Sequence, residues 1–504
     1  MFASSRSVFA FMAPRTHLLA LVLAAAPIAA RAQFAASEYA QRRLALLAQI
    51  PAGAVVALGA NEPVQDYLSF EQTPAFNYLT GLREPDAALI MIKSAAGVTI
   101  TLFVEPRVPA REVWSGARLG IDAAHQRTGL PTRDHDDFAK VIDSLAATGV
   151  TMWVVGDFPG ADVGDQGTLS ADQQFFASVH QRHPALVIKN ATPFVTQLRG
   201  TKSPGELSLI RQAAEITTRA EREAMQALEP GMNEFEIQAL VEYTFRRNGA
   251  DRPSFASIVG SGPNATTLHY NIDDRFIERG DLVVMDIGAS YKGYAADVTR
   301  TIPANGKYSP DQRAIYQIVR DAQAAGERQA KLSAPDHLMS DSATAVLAAG
   351  LTRLGLIESP DASYDCDFGG QTAQCPQYQL YYMHGLGHGI GLEVHDPDQF
   401  YYSHVIETGS AFTIEPGIYV RADVLDVLPP TPRNRTLAAK LRPAVDRYKN
   451  IGVRIEDDYI ATANGVEWVS RAPREMAEIE AMMKSPRSTR ASRDSALVGR
   501  YRQP

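Results

Sequence analysis

The first half of the chain alternates short apolar runs with stretches in which apolar residues recur at helical spacing. The spacing predicts a helix from Ser37 to Gln49. Five later apolar runs have the short length that is typical of strands. These runs lie at 54–59, 88–92, 98–104, 151–155 and 185–188. Strands interleaved with helices predict an α/β domain.

The pattern changes near residues 199–204, where glycine and proline interrupt it. Pro204 is predicted to open a long amphipathic helix that runs through Leu228. Asn233 is predicted to cap a second helix that ends near Arg247. Helices alternate with strands again after that point. The chain is therefore predicted to contain two domains, over residues 33–198 and 199–484.

The first 32 residues are predicted to be a signal peptide. Arg6 and Arg15 precede an apolar run at 18–30, and a short Ala-Arg-Ala sequence then favours cleavage before Gln33. The apolar run is too short to span a membrane comfortably. The sequence therefore predicts an exported protein, periplasmic or secreted, and an uncleaved anchor is the alternative.

Composition and charge narrow the classes of partner. With 45% hydrophobic and 21% charged residues, the chain is globular rather than disordered. Residues 1–32 carry three arginines and no acidic residue, so without them 46 basic residues face 57 acidic ones, a net charge of −11 instead of −8. This acidity disfavours nucleic acid as a partner. No later stretch is apolar enough for a membrane helix. The last residues, 485–504, are rich in Ser, Arg and Pro and predict a disordered basic tail.

The chain contains two cysteines, Cys366 and Cys375. In an exported protein they are expected to form a disulfide that closes a short loop, and two free thiols are the alternative. A zinc site is not favoured, because no other soft ligand lies nearby in the sequence.

Two aspartates lie on either side of the turn of a predicted β-hairpin. Apolar runs on either side of a glycine-containing polar stretch include Asp286 and Asp297, which is typical of a hairpin. If the turn is centred between Tyr291 and Lys292, the two aspartates face each other directly. Like charges placed so are destabilising, and two cations about 3.5–4 Å apart would remove the repulsion. The alternative is a pair of turn-flanking aspartates that make surface hydrogen bonds.

Three histidines lie among glycines within twelve residues, at His384, His388 and His395. The glycines argue against a helix, so the segment is not the helical His-Glu-x-x-His zinc motif. In an extended chain His384 and His388 lie on one face. The two glycines between these histidines lack side chains and so let another strand or a ligand approach closely. Packing alone does not readily explain this combination, which predicts a functional segment.

Two glutamates lie inside segments that are predicted to be strands. Glu415 occurs in Phe-Thr-Ile-Glu-Pro-Gly-Ile-Tyr and Glu456 in Gly-Val-Arg-Ile-Glu-Asp-Asp-Tyr. A carboxylate in such a segment must be paired or bound to a metal, unless the strand is an exposed edge. Pro416 also holds Glu415 in an extended conformation.

Together these residues make a hard, anionic ligand set. Four carboxylates and one imidazole suit two divalent cations such as Mn2+, with Zn2+, Co2+ or Fe2+ as alternatives. The five predicted ligands are Asp286, Asp297, His388, Glu415 and Glu456. The sequence therefore predicts a metallohydrolase.

These segments resemble those of the pita-bread metallopeptidases, and specifically the branch of Xaa-Pro aminopeptidases (aminopeptidase P) and prolidases. The resemblance covers most of the chain after residue 32. It implies an α/β (α+β) protein with an amino-terminal creatinase/prolidase-type domain and a pita-bread catalytic domain. It also implies that Asp297 and Glu456 bridge two metal ions. Four further residues are implied to bind substrate or to support the ligands, namely His269, His384, His395 and Arg454.

The resemblance and the ligand chemistry together imply a mechanism. A hydroxide held between the two cations is expected to attack the carbonyl carbon that precedes proline. Glu415 is expected to relay the proton, and His395 to stabilise charge on the carbonyl oxygen. His384 and His269 are expected to hold the substrate and to assist protonation of the leaving group.

Two amino-terminal segments, Phe76–Asp86 and Glu112–Gly120, resemble the corresponding domain of aminopeptidase P relatives. In those relatives this domain mediates oligomerisation, which implies a homo-oligomer here, a dimer or a tetramer. The domain can also lend an aromatic residue to a neighbouring active site. Trp114 is the candidate for that role, and a packing tryptophan is the alternative.

The expected substrates are small peptides with an Xaa-Pro amino terminus. A prolidase cleaves only dipeptides and needs a cation for the terminal carboxylate. Residues 396–410 contain no Lys or Arg, which favours an aminopeptidase over a prolidase, although Arg454 could bind a carboxylate. A catalytically inactive pita-bread binding module is the alternative outside the enzymes. The segments 366–375 and 428–435 are interpreted as inserted surface loops, and the second could limit substrate length.

Overall fold

The structure is a computed structural model that describes residues 33–63, 68–156, 170–397 and 404–486. The predicted signal peptide, residues 1–32, lies outside the described residues. So does the predicted tail, apart from residues 485 and 486. Within the described ranges, no helix combines the length and the apolar character needed to cross a membrane.

The amino-terminal part is a mixed sheet surrounded by helices, as an α/β domain requires. Its strands have the order β4-β3-β2-β1-β5-β6, with β1 antiparallel to β2 and parallel to β5. The strands are β1 Gly53–Leu58, β2 Ala88–Ser94, β3 Gly97–Val104, β4 Thr132–Asp134, β5 Met152–Val155 and β6 Ile188–Asn190. The helices are α1 Ala36–Gln49, α2 Pro74–Thr80, α3 Pro109–Ser115, α4 Gly120–Thr128, α5 Phe138–Ala147, α6 Ala171–Arg182 and α7 Thr192–Arg199.

Four of the five predicted strands in this part form close to their predicted positions. The fifth was placed too early: residues 184–185 form a turn, and β6 begins only at Ile188. The tryptophan that was predicted to serve a neighbouring subunit, Trp114, lies on α3 and is 85% exposed.

The carboxy-terminal part contains several small antiparallel sheets and long helices. Its strands are β7 Arg252–Pro253, β8 Ile258–Ser261, β9 Leu282–Ile287, β10 Ala289–Tyr291, β11 Tyr294–Ala295, β12 Val298–Pro303, β13 Ser363–Phe368, β14 Gln371–Pro376, β15 Ala411–Ile414, β16 Gly417–Val420, β17 Ile451–Arg454, β18 Asp457–Thr462 and β19 Gly465–Trp468. Its helices are α8 Pro204–Ala227, α9 Glu234–Arg247, α10 Pro310–Gln329, α11 His337–Leu354, α12 Pro432–Tyr448 and α13 Met476–Met483.

The predicted starts of the two helices after the boundary are confirmed. Pro204 occupies the first turn of α8, and Ser203 forms a capping box with Glu206. Asn233 caps α9 through its side chain and forms a capping box with Glu236. α8 packs against β10, β11 and β12, and α10 packs against α11 and reaches β15 to β17. These contacts hold the strands that flank Asp297, Glu415 and Glu456.

The predicted disulfide is confirmed: Cys366 and Cys375 are bonded across the β13–β14 hairpin. The interpretation of 428–435 as an inserted loop is wrong in its second half, because Thr431 caps α12 and Pro432 opens it. Asn434 exchanges two hydrogen bonds with the backbone of Asp365 in the hairpin. The two segments therefore pack on each other.

Candidate metal centre

One cavity of about 470 Å³ collects all the residues that the sequence predicted for the site. The predicted metal ligands that line it are Asp286, Asp297, His388, Glu415 and Glu456. The other predicted residues that line it are His269, His384, His395 and Arg454. Among the described residues of 366–375 and 428–435, none lines this cavity. The structure thus gives no support to the hypothesis that the segment 428–435 limits substrate length.

The predicted direct pairing of Asp286 with Asp297 is wrong by two residues. β9 and β12 pair with Asp286 opposite Thr299. Lys292 and Gly293 form the turn between β10 and β11 with φ values of 51° and 85°. Two positive φ angles characterise the type I′ turn, for which glycine is favoured. The turn therefore lies one residue later than predicted, although both carboxylates still line the cavity.

A pair of glutamates, rather than the aspartates, face each other across two strands. β15 pairs with β18 so that Ile414 lies opposite Asp457, and β16 pairs with β17 so that Gly417 lies opposite Arg454. Both ladders share one register, which places Glu415 opposite Glu456 where the ladders are interrupted. Glu415 donates its N–H outward to Leu386 O at 2.7 Å, and Glu456 donates outward to Thr299 O at 3.1 Å. Backbone N–H groups that point away from the facing strand are typical of a non-hydrogen-bonded pair, and the side chains of such a pair lie closer together than those of a hydrogen-bonded pair.

The histidine segment lies along β15, as its glycines predicted. Thr413 N–H donates to His388 O at 2.8 Å. A Cβ atom on Gly387 would lie only 2.1 Å from Thr413 O, so the close approach requires glycine. The His388 Nδ1 atom lies 3.1 Å from Gly389 O. Its Nε2 atom lies 3.5 Å from carboxylate oxygens of both Asp297 and Glu415.

The other histidines surround this group. His384 Nε2 lies 2.9 Å from the Tyr419 hydroxyl, and burial together with Arg454 lowers the pKa of His384 to about 4. The rings of His388 and His395 are 4.2 Å apart between centroids. His269 and His395 are exposed at the cavity.

Comparison with known proteins places the chain in a family. Residues 208–463 match Metallopeptidase family M24, and residues 39–153 match the Aminopeptidase P, N-terminal domain. The first match covers half of the chain.

The chain belongs to metallopeptidase family M24.

Individual relatives match this M24 peptidase over most of its length. An Xaa-Pro aminopeptidase of Haemophilus influenzae is 33% identical over 467 residues, which cover 90% of this chain and 99% of the relative. A human Xaa-Pro dipeptidase is 29% identical and covers 86% of this chain and 89% of the relative. A structure of zinc-substituted Escherichia coli aminopeptidase P with product superposes with a TM-score of 0.71 and 29% identity, covering 89% and 98% of the two chains. The predicted fold class is confirmed.

Membership of family M24 implies divalent metal ions, and the cavity fits them. One oxygen each of Asp286, Asp297 and Glu456 is buried with no hydrogen-bond partner among the described residues. Ligand atoms of Asp297, His388 and Glu456 all lie within 4.8 Å of one another. Buried carboxylate oxygens without partners are costly unless a cation binds them, and this donor set suits hard or borderline divalent ions.

The electrostatics of the clustered carboxylates favour a cation for the same reason. Burial and the neighbouring carboxylates raise the pKa of Asp297 and of Glu456 well above their usual range. Burial, with a contribution from Asp286, raises the pKa of Glu415 to about 8. A divalent ion opposes both effects, because it compensates the charge that burial and repulsion penalise.

The sequence did not identify the residues that hold Arg454 in place. Arg454 is buried and donates to the Tyr419 hydroxyl at 2.9 Å, to Thr299 Oγ1 at 3.1 Å and to the carboxylate of Asp286. The guanidinium group of Arg454 is therefore directed at the predicted ligand Asp286 and not at solvent. Alternate residues of an extended strand share a face, so Tyr419, four positions after Glu415, is expected on the same face as that ligand. This spacing could have indicated that Tyr419 lies near the site.

Two further contacts behind the ligands were also missed. Thr299 donates its hydroxyl to Glu456 Oε2 at 2.6 Å. The carboxylate of Asp458 accepts the backbone N–H of Asp297 at 3.2 Å. Such partners orient metal ligands and are typically worth 10–100-fold in metal affinity or activity.

Metal-free protein is expected to lose stability as the pH rises from 6.5 to 8. Glu415 has a folded pKa of about 8 against an ordinary 4.5, so the folded state binds more protons than the unfolded state across this range. The pKa values of His384 and His388 are lowered to about 4, so these residues oppose the trend, but their opposition fades as the pH rises above the ordinary histidine pKa of 6.5. Melting temperatures of chelator-treated protein at pH 6.5 and 8 would measure the slope.

Added Mn2+ should make the melting temperature nearly independent of pH between 6.5 and 8. In metal-free protein, Glu415→Gln should make the fall in melting temperature over this range smaller. A melting temperature of the metal-free protein that is constant or rises between pH 6.5 and 8 would contradict this assignment of the charges.

Proposed function

We propose that this M24 peptidase is an Xaa-Pro aminopeptidase that uses two divalent metal ions, with Mn2+ as the expected metal. The proposed ligands are Asp286, Asp297, His388, Glu415 and Glu456. When bound, the ions supply a water nucleophile of lowered pKa and Lewis-acid activation of the scissile carbonyl. The Xaa-Pro aminopeptidase relative at 33% identity supports the proposal.

One observation favours an aminopeptidase over a dipeptidase. Among the described residues that line the cavity, Arg454 is the one permanent cation. It is 3% exposed, and its donors are occupied by Asp286, Tyr419 and Thr299. An enzyme restricted to dipeptides must hold the carboxylate of the product proline, which a free guanidinium does well. The cavity offers no such group within the described part of the chain.

The side chains of the cavity have complementary roles in this proposal. Glu415 accepts a proton from the water and passes it on, and its Oε2 atom lies 3.8 Å from His384 Nδ1. His395 stabilises negative charge on the carbonyl oxygen. His384 and His269 hold the peptide and assist protonation of the proline nitrogen. That nitrogen carries no N–H in the substrate, so recognition has to come from the cavity shape and these rings.

A comparison of three short peptides tests the proposal. Purified protein with Mn2+ is expected to release alanine from Ala-Pro-Ala, with Ala-Ala-Ala as the negative control. Product analysis by chromatography distinguishes the outcomes. Cleavage of Ala-Pro alone would instead identify a dipeptidase, as in the human relative. Absence of metal uptake and of turnover would indicate a binding module.

We also propose that the protein is an exported homo-oligomer. The amino-terminal sequence supports export, and the 85% exposed Trp114 supports a role for α3 at a subunit contact.

A further inference from the structure

Pro416 creates a gap in the strand pairing next to the candidate metal centre. Ile455 donates its N–H to Pro416 O at 3.3 Å. In an antiparallel ladder, the same two residues normally exchange a second bond, from the N–H of one to the carbonyl of the other. Proline has no N–H. The carbonyl of Ile455 therefore lacks its usual ladder donor, immediately before Glu456.

A glutamine from α10 occupies that gap. Gln323 is fully buried, and its Nε2 atom lies 3.3 Å from Ile455 O. The same nitrogen lies 3.3 Å from Ile414 O and 3.0 Å from Asp457 Oδ2. Since all three neighbours are acceptors, the amide nitrogen has to face them, and the reversed amide would be repelled.

The two carbonyls belong to the residues immediately before the facing glutamates. Ile414 precedes Glu415, and Ile455 precedes Glu456. A single side chain thus bridges both strands at the point where their ladders are interrupted. Asp457 anchors this contact further, because it also accepts hydrogen bonds from Arg300 and Ser470.

We propose that Gln323 is a positioning residue for the metal centre, which replaces the backbone donor that Pro416 cannot supply and so fixes the separation of Glu415 and Glu456. Gln323 does not line the cavity, so its effect on metal binding is transmitted through the backbone carbonyls. The proposal rests on the metal site of the proposed function but not on its substrate.

Removal of the donor is expected to weaken metal binding more than folding. In Q323L, the affinity for Mn2+ measured by calorimetry should fall about tenfold, at the lower end of what groups behind metal ligands contribute. Gln317→Leu, at an exposed glutamine on the same helix, is the matched control and should leave the affinity unchanged. If Q323L does not fold, Q323M removes the same donor and keeps the side-chain length.

A second substitution tests the cause. P416A restores a backbone N–H opposite Ile455 O, so Q323L should cost less than threefold in affinity in the P416A background, against about tenfold in the parent. Equal losses in both backgrounds, or a lower melting temperature with unchanged Mn2+ affinity, would overturn the proposal. Because the readout is metal binding, failure to cleave Ala-Pro-Ala would reject the proposed substrate and leave this result intact.

Discussion

Asp297→Ala is expected to remove the ability to hold two metal ions and nearly all peptidase activity. Asp297 is 5% exposed, lies 3.5 Å from His388 Nε2, and has one oxygen with no partner in the described part of the chain. Its loss opens the cage between His388 and Glu456. Metal activation contributes several kcal/mol to such reactions, so kcat/KM for Ala-Pro-Ala should fall by about 10³-fold or more. Metal content per chain and kcat/KM, measured on the same dialysed protein, check both effects.

The matched control is Asp341→Ala, because Asp341 is an exposed aspartate on α11 outside the cavity. It should keep its metal ions and its kcat/KM. Retention of two ions with normal activity in Asp297→Ala would show that the ligand assignment is wrong.

The positions of the predicted ligands followed from local sequence, and the structure brings all five together. Each lies in a short segment that has a structural alternative when taken alone, and the five segments together predicted the site. A buried carboxylate such as that of Glu456 is energetically costly unless it is paired or bound to a metal ion. The glycines beside His388 were needed for close approach to β15, and Gly387 meets that requirement. Predictions of this kind depend on a few neighbouring residues.

Pairing register was harder to predict, because it depends on backbone angles. The turn centred on Lys292 and Gly293 requires two positive φ values, and a shift of one residue in the turn changes every cross-strand partner. Asp286 consequently pairs with Thr299 instead of Asp297. The facing pair, Glu415 and Glu456, arises from two strands that are far apart in sequence, and no local pattern specifies their common register.

Residues behind the ligands could not be predicted for a similar reason. Gln323 lies in an amphipathic helix, where a glutamine is ordinary, and its acceptors are 91 and 132 positions away. Arg300 lies at the end of the predicted hairpin segment, but its carboxylate partner, Asp457, is 157 positions away. Their roles become apparent only when the tertiary contacts are known.

Among the substitutions proposed for this protein, Arg300→Met is expected to cause the largest decrease in the free energy of unfolding. Arg300 is fully buried and donates to Asp457 and to four backbone carbonyls. One of these carbonyls belongs to Glu456. Removing one partner of a buried ion pair typically costs about 3–5 kcal/mol. The lower end is expected here, because Arg474 still lies 2.9 Å from the Asp457 carboxylate.

Urea unfolding monitored by circular dichroism measures this loss, and Arg353→Met, at an exposed arginine on α11, should change stability little. The double variant R300M/D457N separates two causes. If the stranded carboxylate of Asp457 dominates the cost, its neutralisation should recover part of the stability that R300M loses. If the unpaired carbonyls dominate, D457N should add to the loss, since Gln323 and Arg474 also depend on that carboxylate. An R300M protein as stable as the parent would contradict the assignment of Arg300 as the buried support of the Glu456 strand.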